Sequence, residues 1–567
     1  MKNIRLTIVL LLLLIATLLS LAGRCFYLQY FRKQHYYSSS LKQRQKWVSQ
    51  NPQRGVILDC RVRVLAASNK FQTIFADPQI INDPKQIAKK LQPILDINAS
   101  QISNLISKSK NPGFVRLMPD ADRAQCDAVR NIYGIGVISE WKRYYPIGNL
   151  ASTVVGFTGR DNRGLEGIEL QFDKQLKGSA GKNIFFTDKL RRSIRLKQQG
   201  ESVTDGFGII LTIDSTIQQF AREELQKQYK NFEAEAAIAI VVEPKTGAIL
   251  AMVSLPDFEP TAAGSADPNT FRNRAITDTF EPGSIMKPIA VAIALDAGVI
   301  DKDEIIFCEN GDYRGKGFGK IGEYGPHRFA DLPIREILVK SSNIGTAKIG
   351  QKLGKEKLYK GLKLFGFGKK TGIELPGEDP GLLWPISKWT GYSVTRIPFG
   401  QEISVTAIQI VRAFCILANG GHYVRPYIVK AMVDNNGELI KLTKPPPSVG
   451  FIIKPEVAKW VVNDPLVGVV NEKSNGGTGW RAKLDKWQVF GKTGTAEIAK
   501  KDSKGYSEDD YVASFVAGAP AEDPKIVVLV SIRKPNKRLG KGYTGGAVAS
   551  GVAGNIIEKT LYYLEEK

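Results

Sequence analysis

The hydrophobic pattern of this chain divides it into three parts. Residues 6–23 form an almost uninterrupted apolar run, which is long enough to cross a bilayer as one helix. Residues 51–200 alternate short apolar runs with turns and helical stretches, without catalytic spacing. From residue 205 onward, strand-like runs at both ends of the segment enclose a helical and turn-rich middle. This order predicts an anchor, a non-catalytic module and an α+β domain whose sheet is built from both of its ends.

The strands of the last segment are predicted from apolar runs between turn signals. A β-rich run at 208–213 precedes an N-cap at Asp214 and a helix that ends near residue 229. Two runs at 237–242 and 248–253 flank a Gly-containing turn, so they predict a hairpin. The remaining predictions are strands at 487–490, 511–519 and 526–532 and a final helix from about residue 547.

The apolar run at 6–23 predicts an uncleaved membrane anchor rather than a cleaved signal peptide. It is longer and more uniformly rich in leucine than a signal-peptide core, and it lacks a small-x-small cleavage site. A lipoprotein-like box before Cys25 is interrupted by Arg24. Basic residues flank both ends, but long domains translocate largely regardless of flanking charge. We therefore expect a cytoplasmic tail at 1–5, a stalk at 24–50 and a large body outside the membrane.

The composition narrows the partners and the chemistry. Lysine and arginine number 79 against 56 aspartates and glutamates, which gives a formal net charge of +23. This charge suits a lipid surface or an acidic cell-wall polymer, or it is simply a solvated basic surface. No nucleic-acid-binding signature accompanies it, which argues against a nucleic-acid partner. Five scattered cysteines and three histidines (His35, His327 and His422) favour neither a disulfide framework nor a zinc site, and we expect the histidines to be structural.

Candidate chemistry begins with Ser284 and Lys287, which lie three residues apart at the start of an apolar helix. About one helical turn separates them, so the hydroxyl and the amine share a face, as a serine nucleophile with a lysine base requires. The following helix is apolar on nearly every side and is therefore predicted to be buried. Burial and a second nearby cation would lower the pKa of the lysine, so that it could act as a base. Ser-x-x-Lys also occurs at 39–42, 107–110 and 531–534, so the pattern alone does not select this copy.

A second motif, Ser341-Ser342-Asn343, follows the first along the chain. It lies in a tight connection between two helical stretches, where a hydroxyl and an amide two residues apart can both face a cleft. The same Ser-x-Asn pattern occurs at 49–51 and 109–111. The copy at 341–343 is therefore distinguished by its place after the Ser-x-x-Lys motif at 284–287 and not by the pattern itself.

A third motif, Lys-Thr-Gly-Thr at 492–495, follows an apolar run that is predicted to be a strand. A lysine and two threonine hydroxyls can hold a carboxylate, and glycine allows a close approach to a strand edge. Lys-Thr-Gly also occurs at 245–247 and 370–372, but only the copy at 492 follows such a strand, is flanked by glycine and comes after the other two motifs. The three motifs in this order predict a serine acyl-transfer site.

These motifs resemble those of the penicillin-recognising serine enzymes, and other segments resemble class B penicillin-binding proteins. Arg-Tyr-Tyr-Pro at 143–146 and Gly-Leu-Glu-Gly-Ile-Glu at 164–169 are similar to the family's pedestal. The pedestal of the family often begins Arg-Gly-x-Ile-x-Asp-Arg-x-Gly, whereas residues 54–63 read Arg-Gly-Val-Ile-Leu-Asp-Cys-Arg-Val-Arg. This departure affects the local turn rather than the chemistry. Further similar segments are 272–276, 280–284, 365–368, 376–378, 399–401, 418–421 and 476–479.

The resemblance implies an α+β fold in which an antiparallel sheet is flanked by helices. This is the penicillin-binding transpeptidase or serine β-lactamase-like domain, expected at 205–567. An elongated pedestal of the dimerisation type is expected at 51–200, after the transmembrane helix at 6–23.

The resemblance also implies a role for each motif residue. Ser284 would attack the carbonyl of a D-Ala-D-Ala stem peptide with Lys287 as the base, and Ser341 would relay a proton to the leaving amine. Backbone N–H groups of Ser284 and Thr495 would form the oxyanion hole. The implied catalytic residues are Ser284, Lys287, Ser341, Asn343 and Lys492, and the implied substrate-binding residues are Thr493, Gly494 and Thr495.

The implied function is that of a membrane-anchored peptidoglycan D,D-transpeptidase, which is inhibited by β-lactams and requires no metal or organic cofactor. The Lys-Ser-Ser-Asn form at 340–343 is more like the division-specific septal members than the elongation-specific ones. We expect a single-pass protein of the cell (inner) membrane with an extracytoplasmic or periplasmic catalytic domain. The implied partners are stem peptides, the lipid-linked precursor, β-lactams, the membrane, a glycan polymerase and other divisome proteins.

Four alternatives stay open. An elongation-type transpeptidase would use the same motifs, and a D,D-carboxypeptidase or a β-lactamase would share the acylation step but use water for deacylation. The non-enzymatic alternative is a division scaffold or β-lactam sensor. A bifunctional enzyme with its own glycan polymerase is disfavoured, because the region before the first motif shows no acidic glycosyltransferase motif.

Overall fold

The structure, a computed structural model, describes residues 2–109, 113–187, 193–194, 202–443, 450–500 and 505–566. The chain divides into two units. One unit is Met1–Gln53 with Gly178–Asp205, and the other is Arg54–Lys177 with Gly206–Lys567.

The first unit contains a long apolar helix. It begins with α1 (Lys2–Tyr30), α2 (Lys33–Arg44) and β1 (Gln45–Gln50). Residues Asn3–Tyr30 form the one helix in the described part of the chain that is long and apolar enough to cross a membrane, and an 18-residue window within it has a mean hydropathy of 2.7. The helix exceeds the predicted 6–23 at both ends, because no proline interrupts the polar and aromatic residues that flank the apolar run. The predicted stalk at 24–50 is therefore mostly helix, followed by a strand.

The pedestal occupies the N-terminal part of the second unit. Three helices cover the strands at 64–76, 115–121 and 135–144, and their shared core includes Ile74, Leu91, Ile102 and Val129. The pedestal elements are β2 (Ile57–Leu58), β3 (Val64–Ala76), α3 (Pro84–Leu95), α4 (Ala99–Ser107), β4 (Val115–Ala121), α5 (Arg123–Val129), β5 (Ile135–Tyr144), α6 (Ser152–Val155), α7 (Gly167–Gln171) and α8 (Asp173–Lys177).

The two pedestal segments that resemble the family, 143–146 and 164–169, meet the start of segment 54–63 at one group of charged side chains. This group, the pedestal cluster, consists of Arg54, Arg143, Glu169 and Asp173. The Nε atoms of Arg54 and Arg143 each lie 2.6 Å from one carboxylate oxygen of Glu169. Arg54 also reaches Asp173 at 2.7 Å and the Glu169 carbonyl at 2.8 Å. The side chains of Arg54 and Glu169 are 0% exposed, so these charges are buried but paired.

The turn at 59–63 forms despite its departure from the family pattern. The Asp59 N–H donates to the Arg63 carbonyl at 2.9 Å, and the Asp59 carboxylate accepts from the backbone N–H groups of Arg61 and Arg63. Val62 lies in the left-handed region with φ of 65°, a conformation that a β-branched residue rarely adopts. The side chain of Arg63 donates to both Asp59 and Asp214, so ion pairs hold the turn.

Strands β6 (Gly181–Thr187) and β7 (Ser193–Ile194) return to the first unit. There β6 pairs antiparallel with both β1 and β7, which forms a three-stranded sheet.

The catalytic part of the second unit follows. Its elements are β8 (Gly208–Leu211), α9 (Ser215–Asn231), β9 (Ala236–Val242), β10 (Ile249–Leu255), α10 (Arg274–Thr277), β11 (Thr279–Phe280), α11 (Lys287–Asp296), β12 (Ile305–Phe307), β13 (Asp312–Gly315), β14 (Gly319–Gly322), β15 (Asp331–Pro333), α12 (Ile334–Val339), α13 (Asn343–Leu364), α14 (Gly391–Arg396), β16 (Val405–Thr406), α15 (Ala407–Ala418), β17 (Val429–Val433), β18 (Leu439–Leu442), α16 (Pro455–Asn463), α17 (Pro465–Asn471), β19 (Phe490–Ala499), β20 (Tyr506–Ala519), β21 (Ile526–Arg533), α18 (Gly545–Val548) and α19 (Ser550–Glu565). Short 3₁₀ turns connect several of them.

The main sheet confirms the predicted antiparallel sheet built from both ends of the segment. Its order is β10-β9-β21-β20-β19, and every pairing is antiparallel. Alternate residues of β9 face opposite sides, as a strand requires. Ala237 and Ala239 join the core formed with α9 and α19, whereas Ile238 and Ile240 join the larger core that contains α11, α13 and α15.

A second sheet joins the pedestal to the catalytic part. Its order is β18-β17-β8-β2-β3-β4, with β5 paired to β3, and β2 lies parallel to β8. The pedestal residues Ile57 and Leu65 therefore share a buried core with Ile209 and Leu211. This shared core explains why the two parts form one unit.

One strand prediction is wrong. Residues 487–489 are not a strand, and β19 begins only at Phe490. Trp487 instead packs on Tyr562 of α19, and its indole N–H donates to Glu565 at 3.2 Å. The Lys-Thr-Gly-Thr motif consequently lies inside the edge strand rather than after a strand.

Candidate active site

Ser284 lies in a 3₁₀ turn, Gly283–Met286, that leads directly into α11. Gly283 has φ of 57°, and a Cβ there would lie 3.1 Å from the Thr495 carbonyl, so glycine suits the close approach of this turn to β19. Ser284 is half-buried, whereas Lys287–Ala294 are buried throughout, as predicted for this helix. The turn thus presents the hydroxyl at the edge of the core.

The amine of Lys287 is buried and directed at the second motif. Its Nζ lies 2.5 Å from the Ser341 carbonyl, 2.8 Å from Asn343 Oδ1 and 3.2 Å from Ser341 Oγ. The side chain is fully buried, and burial lowers the pKa of Lys287 to about 7, against the opposing effect of the Glu323 carboxylate. A lysine in this state is partly neutral near neutral pH and can accept a proton.

The amine of Lys492 approaches the same serine from the edge strand. Its Nζ donates to Ser341 Oγ at 2.8 Å, and the residue is fully buried. Burial, reinforced by the nearby positive charge of Lys287, holds the pKa of Lys492 well below its usual range. Among the described residues, neither lysine has a carboxylate within ion-pair distance. The Ser341 hydroxyl therefore bridges two buried amines that have no carboxylate partner among the described residues.

The backbone of Ser341 is strained into position. Its φ is 60°, which is rare for a residue with a side chain and typical of functional sites. The next residue, Ser342, is the N-cap of α13, and its hydroxyl accepts from the Gly345 N–H at 3.0 Å. The helix cap and the left-handed residue before it turn the Ser341 side chain towards the lysines.

Edge strand β19 brings two threonines to the cleft. The Thr493 hydroxyl lies 2.6 Å from the hydroxyl of Thr478, and the Thr495 hydroxyl accepts from the Gly545 N–H at 3.1 Å. A Cβ at Gly494 would lie 2.9 Å from the Pro282 carbonyl. Gly494 thus permits the strand to pass against the Ser284 turn, as the predicted close approach requires.

These elements surround a cleft of about 790 Å³. Ser284, Ser341, Asn343, Thr493 and Thr495 line it, while the two lysines lie beneath its surface. The structure therefore brings all the predicted catalytic residues together in one place. Gly494 serves the packing of the strand rather than the cleft surface.

Several cleft residues were not predicted. Glu323 has no local motif and lies 18 positions before Ser341, so only the fold reveals it. His327, expected to be structural, lines the cleft. Tyr324 donates to the hydroxyl of Tyr543 at 3.0 Å, which connects two loops at the cleft. Thr478, by contrast, lies in one of the segments that resemble the family and could have been found there.

The arrangement can carry out acyl transfer from a half-exposed serine. A neutral lysine below the serine can take its proton, and the Ser341 hydroxyl between two amines can pass a proton onward. The described residues hold no group of three or more histidine, cysteine, aspartate or glutamate side chains placed to bind a metal ion.

Comparison with known protein families agrees with this geometry. Residues 237–558 match the penicillin binding protein transpeptidase domain, and residues 49–211 match the penicillin-binding protein dimerisation domain. The chain belongs to the class B penicillin-binding proteins. The predicted family and the predicted α+β fold are thereby confirmed.

Two relatives are similar to this penicillin-binding protein over most of its length, and one of them is named a D,D-transpeptidase. Stage V sporulation protein D of Bacillus subtilis is 34% identical over 523 residues, which cover 90% of this chain and 78% of that protein. The peptidoglycan D,D-transpeptidase FtsI of Escherichia coli K12 is 31% identical over 515 residues, which cover 90% and 83%.

Solved structures of other penicillin-binding proteins share the fold. A peptidoglycan synthetase from Bifidobacterium adolescentis matches 92% of this chain and 97% of its own, with a TM-score of 0.73 and 25% identity. Penicillin binding protein 3 from Mycobacterium tuberculosis, complexed with aztreonam, matches 91% and 97%, with a TM-score of 0.71 and 25% identity.

Proposed function

We propose that this class B penicillin-binding protein is a membrane-anchored, septal-type peptidoglycan D,D-transpeptidase that cross-links stem peptides through an acyl-enzyme on Ser284. The observation that carries the proposal is the buried hydrogen-bonded chain from Lys492 through Ser341 to Lys287, together with the cleft that both Ser284 and Ser341 line. The name of FtsI, a peptidoglycan D,D-transpeptidase, supports the same activity. The Lys-Ser-Ser-Asn form at 340–343 supports the septal assignment over the elongation type.

Acylation begins at the half-buried Ser284. Its oxygen attacks the carbonyl carbon of the penultimate D-alanine while its proton moves to the neutral Lys287. The first N–H groups of a helical turn have no intrahelical partner, so the Ser284 N–H can bind the developing oxyanion together with the N–H of Thr495 on the edge strand. An oxyanion-hole donor is typically worth about 3 to 4 kcal/mol.

Collapse of the tetrahedral intermediate breaks the peptide bond and releases the terminal D-alanine. The leaving nitrogen takes a proton through the Ser341 hydroxyl, which contacts both lysines. Asn343, whose side chain already accepts from Lys287, holds the base in place and can donate to the substrate amide. Thr493 and Thr495 bind the terminal carboxylate, a group that β-lactams also present.

Deacylation transfers the acyl group to a neighbouring stem peptide. The amine of that peptide attacks the ester carbonyl, its proton returns through Lys287, and the Ser284 oxygen leaves as a hydroxyl. The product is a new peptide bond between two strands of the wall. Acceptors and partners in this proposal are a second stem peptide, the lipid-linked precursor, a glycan polymerase and other divisome proteins.

The apolar α1 supports the localisation part of the proposal. A single pass through the cell membrane places residues 1–5 inside and the catalytic part outside, where peptidoglycan is cross-linked. A charged residue cluster is not needed for this orientation, since long domains translocate largely regardless of flanking charge.

Labelling with a fluorescent penicillin tests the function. We expect one covalent adduct on Ser284 in the wild type, located by mass spectrometry, and none in Ser284→Ala. Ser39→Ala, which alters another Ser-x-x-Lys copy, is the matched control and should label like the wild type. An adduct elsewhere, or rapid hydrolysis of penicillin in place of a long-lived adduct, would contradict the transpeptidase proposal.

A further inference from the structure

Glu323 binds the start of α13 from the loop that follows β14. One of its carboxylate oxygens accepts from the Ser342 hydroxyl at 2.5 Å and from the Ile344 N–H at 3.3 Å, and the other accepts from the Asn343 N–H at 2.7 Å. An ionised carboxylate only accepts hydrogen bonds, so it fits three donors well. The N-terminus of a long helix also favours a negative charge.

The same loop holds the side chain of Asn343. The Asn343 amide donates to the Gly322 carbonyl at 3.0 Å, while its Oδ1 accepts from Lys287. Backbone and side chain of Asn343 are therefore both fixed by residues 322 and 323. A misplaced loop would release the acceptor that orients the base.

The residues that Glu323 binds directly follow Ser341, whose backbone is strained. Ser341 has φ of 60°, and such a conformation persists only where the surrounding structure enforces it. The three residues after Ser341 are those that Glu323 binds. Because Ser341 Oγ lies between the two lysines, a small rotation of this backbone would break the relay.

The charge of Glu323 reaches the base as well. The charged groups that face Lys287 are Lys492 from β19 and Glu323 from the loop after β14, while Ser341 and Asn343 contribute neutral polar contacts. The negative charge of Glu323 favours protonated Lys287 and so opposes the effect of burial.

We propose that Glu323 is a positioning residue of the acylation step: its carboxylate binds Ser342, Asn343 and Ile344 and thereby holds Ser341 and Asn343 against the two buried lysines. This inference rests on the proposed function, because it assigns Glu323 a part in the same reaction.

The test measures the second-order acylation rate constant with a penicillin between pH 5 and 10. The full-length protein is used, and each rate is expressed per mole of titratable Ser284, so that partial unfolding does not alter the result. In Glu323→Gln we expect the plateau to fall about ten- to a hundredfold, since a misplacement of about 1 Å can cost that much. We also expect the acidic limb of the pH profile, where the rate constant falls as Lys287 becomes protonated, to move to lower pH, because the negative charge of Glu323 favours protonated Lys287. In Glu323→Asp, which keeps the charge, the acidic limb should lie closer to that of the wild type.

Glu309→Gln is the matched control. Glu309 also contacts α13, through Lys348 at 2.6 Å, but it does not contact the Ser-Ser-Asn motif. The plateau of the acylation rate constant and the acidic limb of the pH profile in Glu309→Gln should equal those of the wild type.

Two outcomes would overturn the inference. One is a wild-type plateau and limb in Glu323→Gln, and the other is a lower plateau with an unmoved limb, which would indicate a purely structural role. If Glu323→Gln has no titratable serine, Glu323→Asp decides: a reduced plateau with a limb close to the wild type supports the inference, and a wild-type plateau opposes it. Failure of the proposed function is distinct, because then even the wild type would not be labelled on Ser284.

Discussion

The pedestal cluster and the lysine pair of the cleft both bury positive charge, but they do so in opposite ways. In the pedestal cluster, Arg54 and Arg143 share the carboxylate of Glu169 at 2.6 Å. In the cleft, Lys287 and Lys492 are equally buried, yet their amines meet only carbonyl, amide and hydroxyl oxygens among the described residues. Guanidinium groups keep their charge when buried, so they need a carboxylate, whereas a lysine can lose its proton instead.

The difference teaches how burial relates to function in this molecule. Paired buried charges hold three pedestal segments together and favour one arrangement of the chain. Unpaired buried amines are costly for the fold unless they are neutral, and neutral amines are what an acyl-transfer base requires. Substitutions in the pedestal cluster should therefore affect the free energy of unfolding, whereas substitutions in the lysine pair should affect the acylation rate.

The largest expected effect follows from removal of the cleft base. Lys287→Ala should lower the acylation rate constant of Ser284 by more than about a thousandfold, because no other buried amine replaces it beside the serine. The rate is measured with a fluorescent penicillin, and a thermal melt shows that the variant is folded. Acylation within tenfold of the wild type would mean that another group is the base.

The pedestal cluster should respond in stability rather than in rate. Arg54→Ala leaves the carboxylate of Glu169 buried with one arginine fewer, which should cost about 3–5 kcal/mol of unfolding free energy. Acylation per folded molecule should change little. Arg130→Ala, which removes an exposed ion pair of the pedestal, serves as the control in the same denaturant titration. A loss of acylation in Arg54→Ala without a loss of stability would remove the distinction between the two clusters.

The acylation rate constant should depend on pH through the lysine pair of the cleft. Because burial lowers the pKa of Lys287 to about 7, the amine becomes protonated below that pH and can no longer accept the serine proton. The rate constant should fall about tenfold for each pH unit below 7. Stopped-flow acylation between pH 5 and 9 measures this, and a flat profile down to pH 5 would contradict it.

The lowered pKa of Lys287 should also have a smaller effect on the pH dependence of the free energy of unfolding. In the unfolded chain Lys287 binds a proton up to about pH 10, whereas the folded chain releases it near pH 7. The unfolded state therefore binds more protons between these values, and the contribution of Lys287 to stability rises with pH in that window. The free energy of unfolding of Lys287→Met should rise less steeply from pH 7 to 10 than that of the wild type. Parallel curves would argue against a lowered pKa.

The smallest effect is expected at the Lys-Thr-Gly copy of the β9–β10 turn. Lys245 is 56% exposed and pairs with Asp523 at the surface, unlike the buried Lys492. Lys245→Ala should leave acylation within about twofold of the wild type and the melting temperature unchanged. A marked loss of acylation would show that the two copies are not as different as their burial indicates.

Much of the fold could be predicted because its signals are local. Asp214 caps α9 as expected, and the β9–β10 hairpin and β21 lie close to their predicted ranges. The prediction of a strand at 487–490 was wrong because an apolar run does not show whether its residues pair in a sheet or, like Trp487, pack against a helix. The helix α1 was predicted too short because hydropathy identifies the apolar span and not the polar turns that extend it.

The candidate site was predicted only as far as its motifs extend. Ser284, Lys287, Ser341, Asn343 and Lys492 could be selected by their order along the chain. Glu323 could not, because its contacts with the start of α13 are to residues 19 to 21 positions further along the chain. His327 was assigned to structure since a single histidine without a neighbouring motif carries no signal of its position in a cleft.

The sequence by itself determined the apolar anchor, the strand and helix types of the catalytic part and the order of the three motifs. Each depends on neighbouring residues, through periodicity, capping or spacing. Only the tertiary structure decided which lysines are buried without a carboxylate, which arginines share one, and that Ser341 lies between two amines. Burial and the pairing of distant charges depend on residues far apart in the chain, and these set the pKa values on which the chemistry depends.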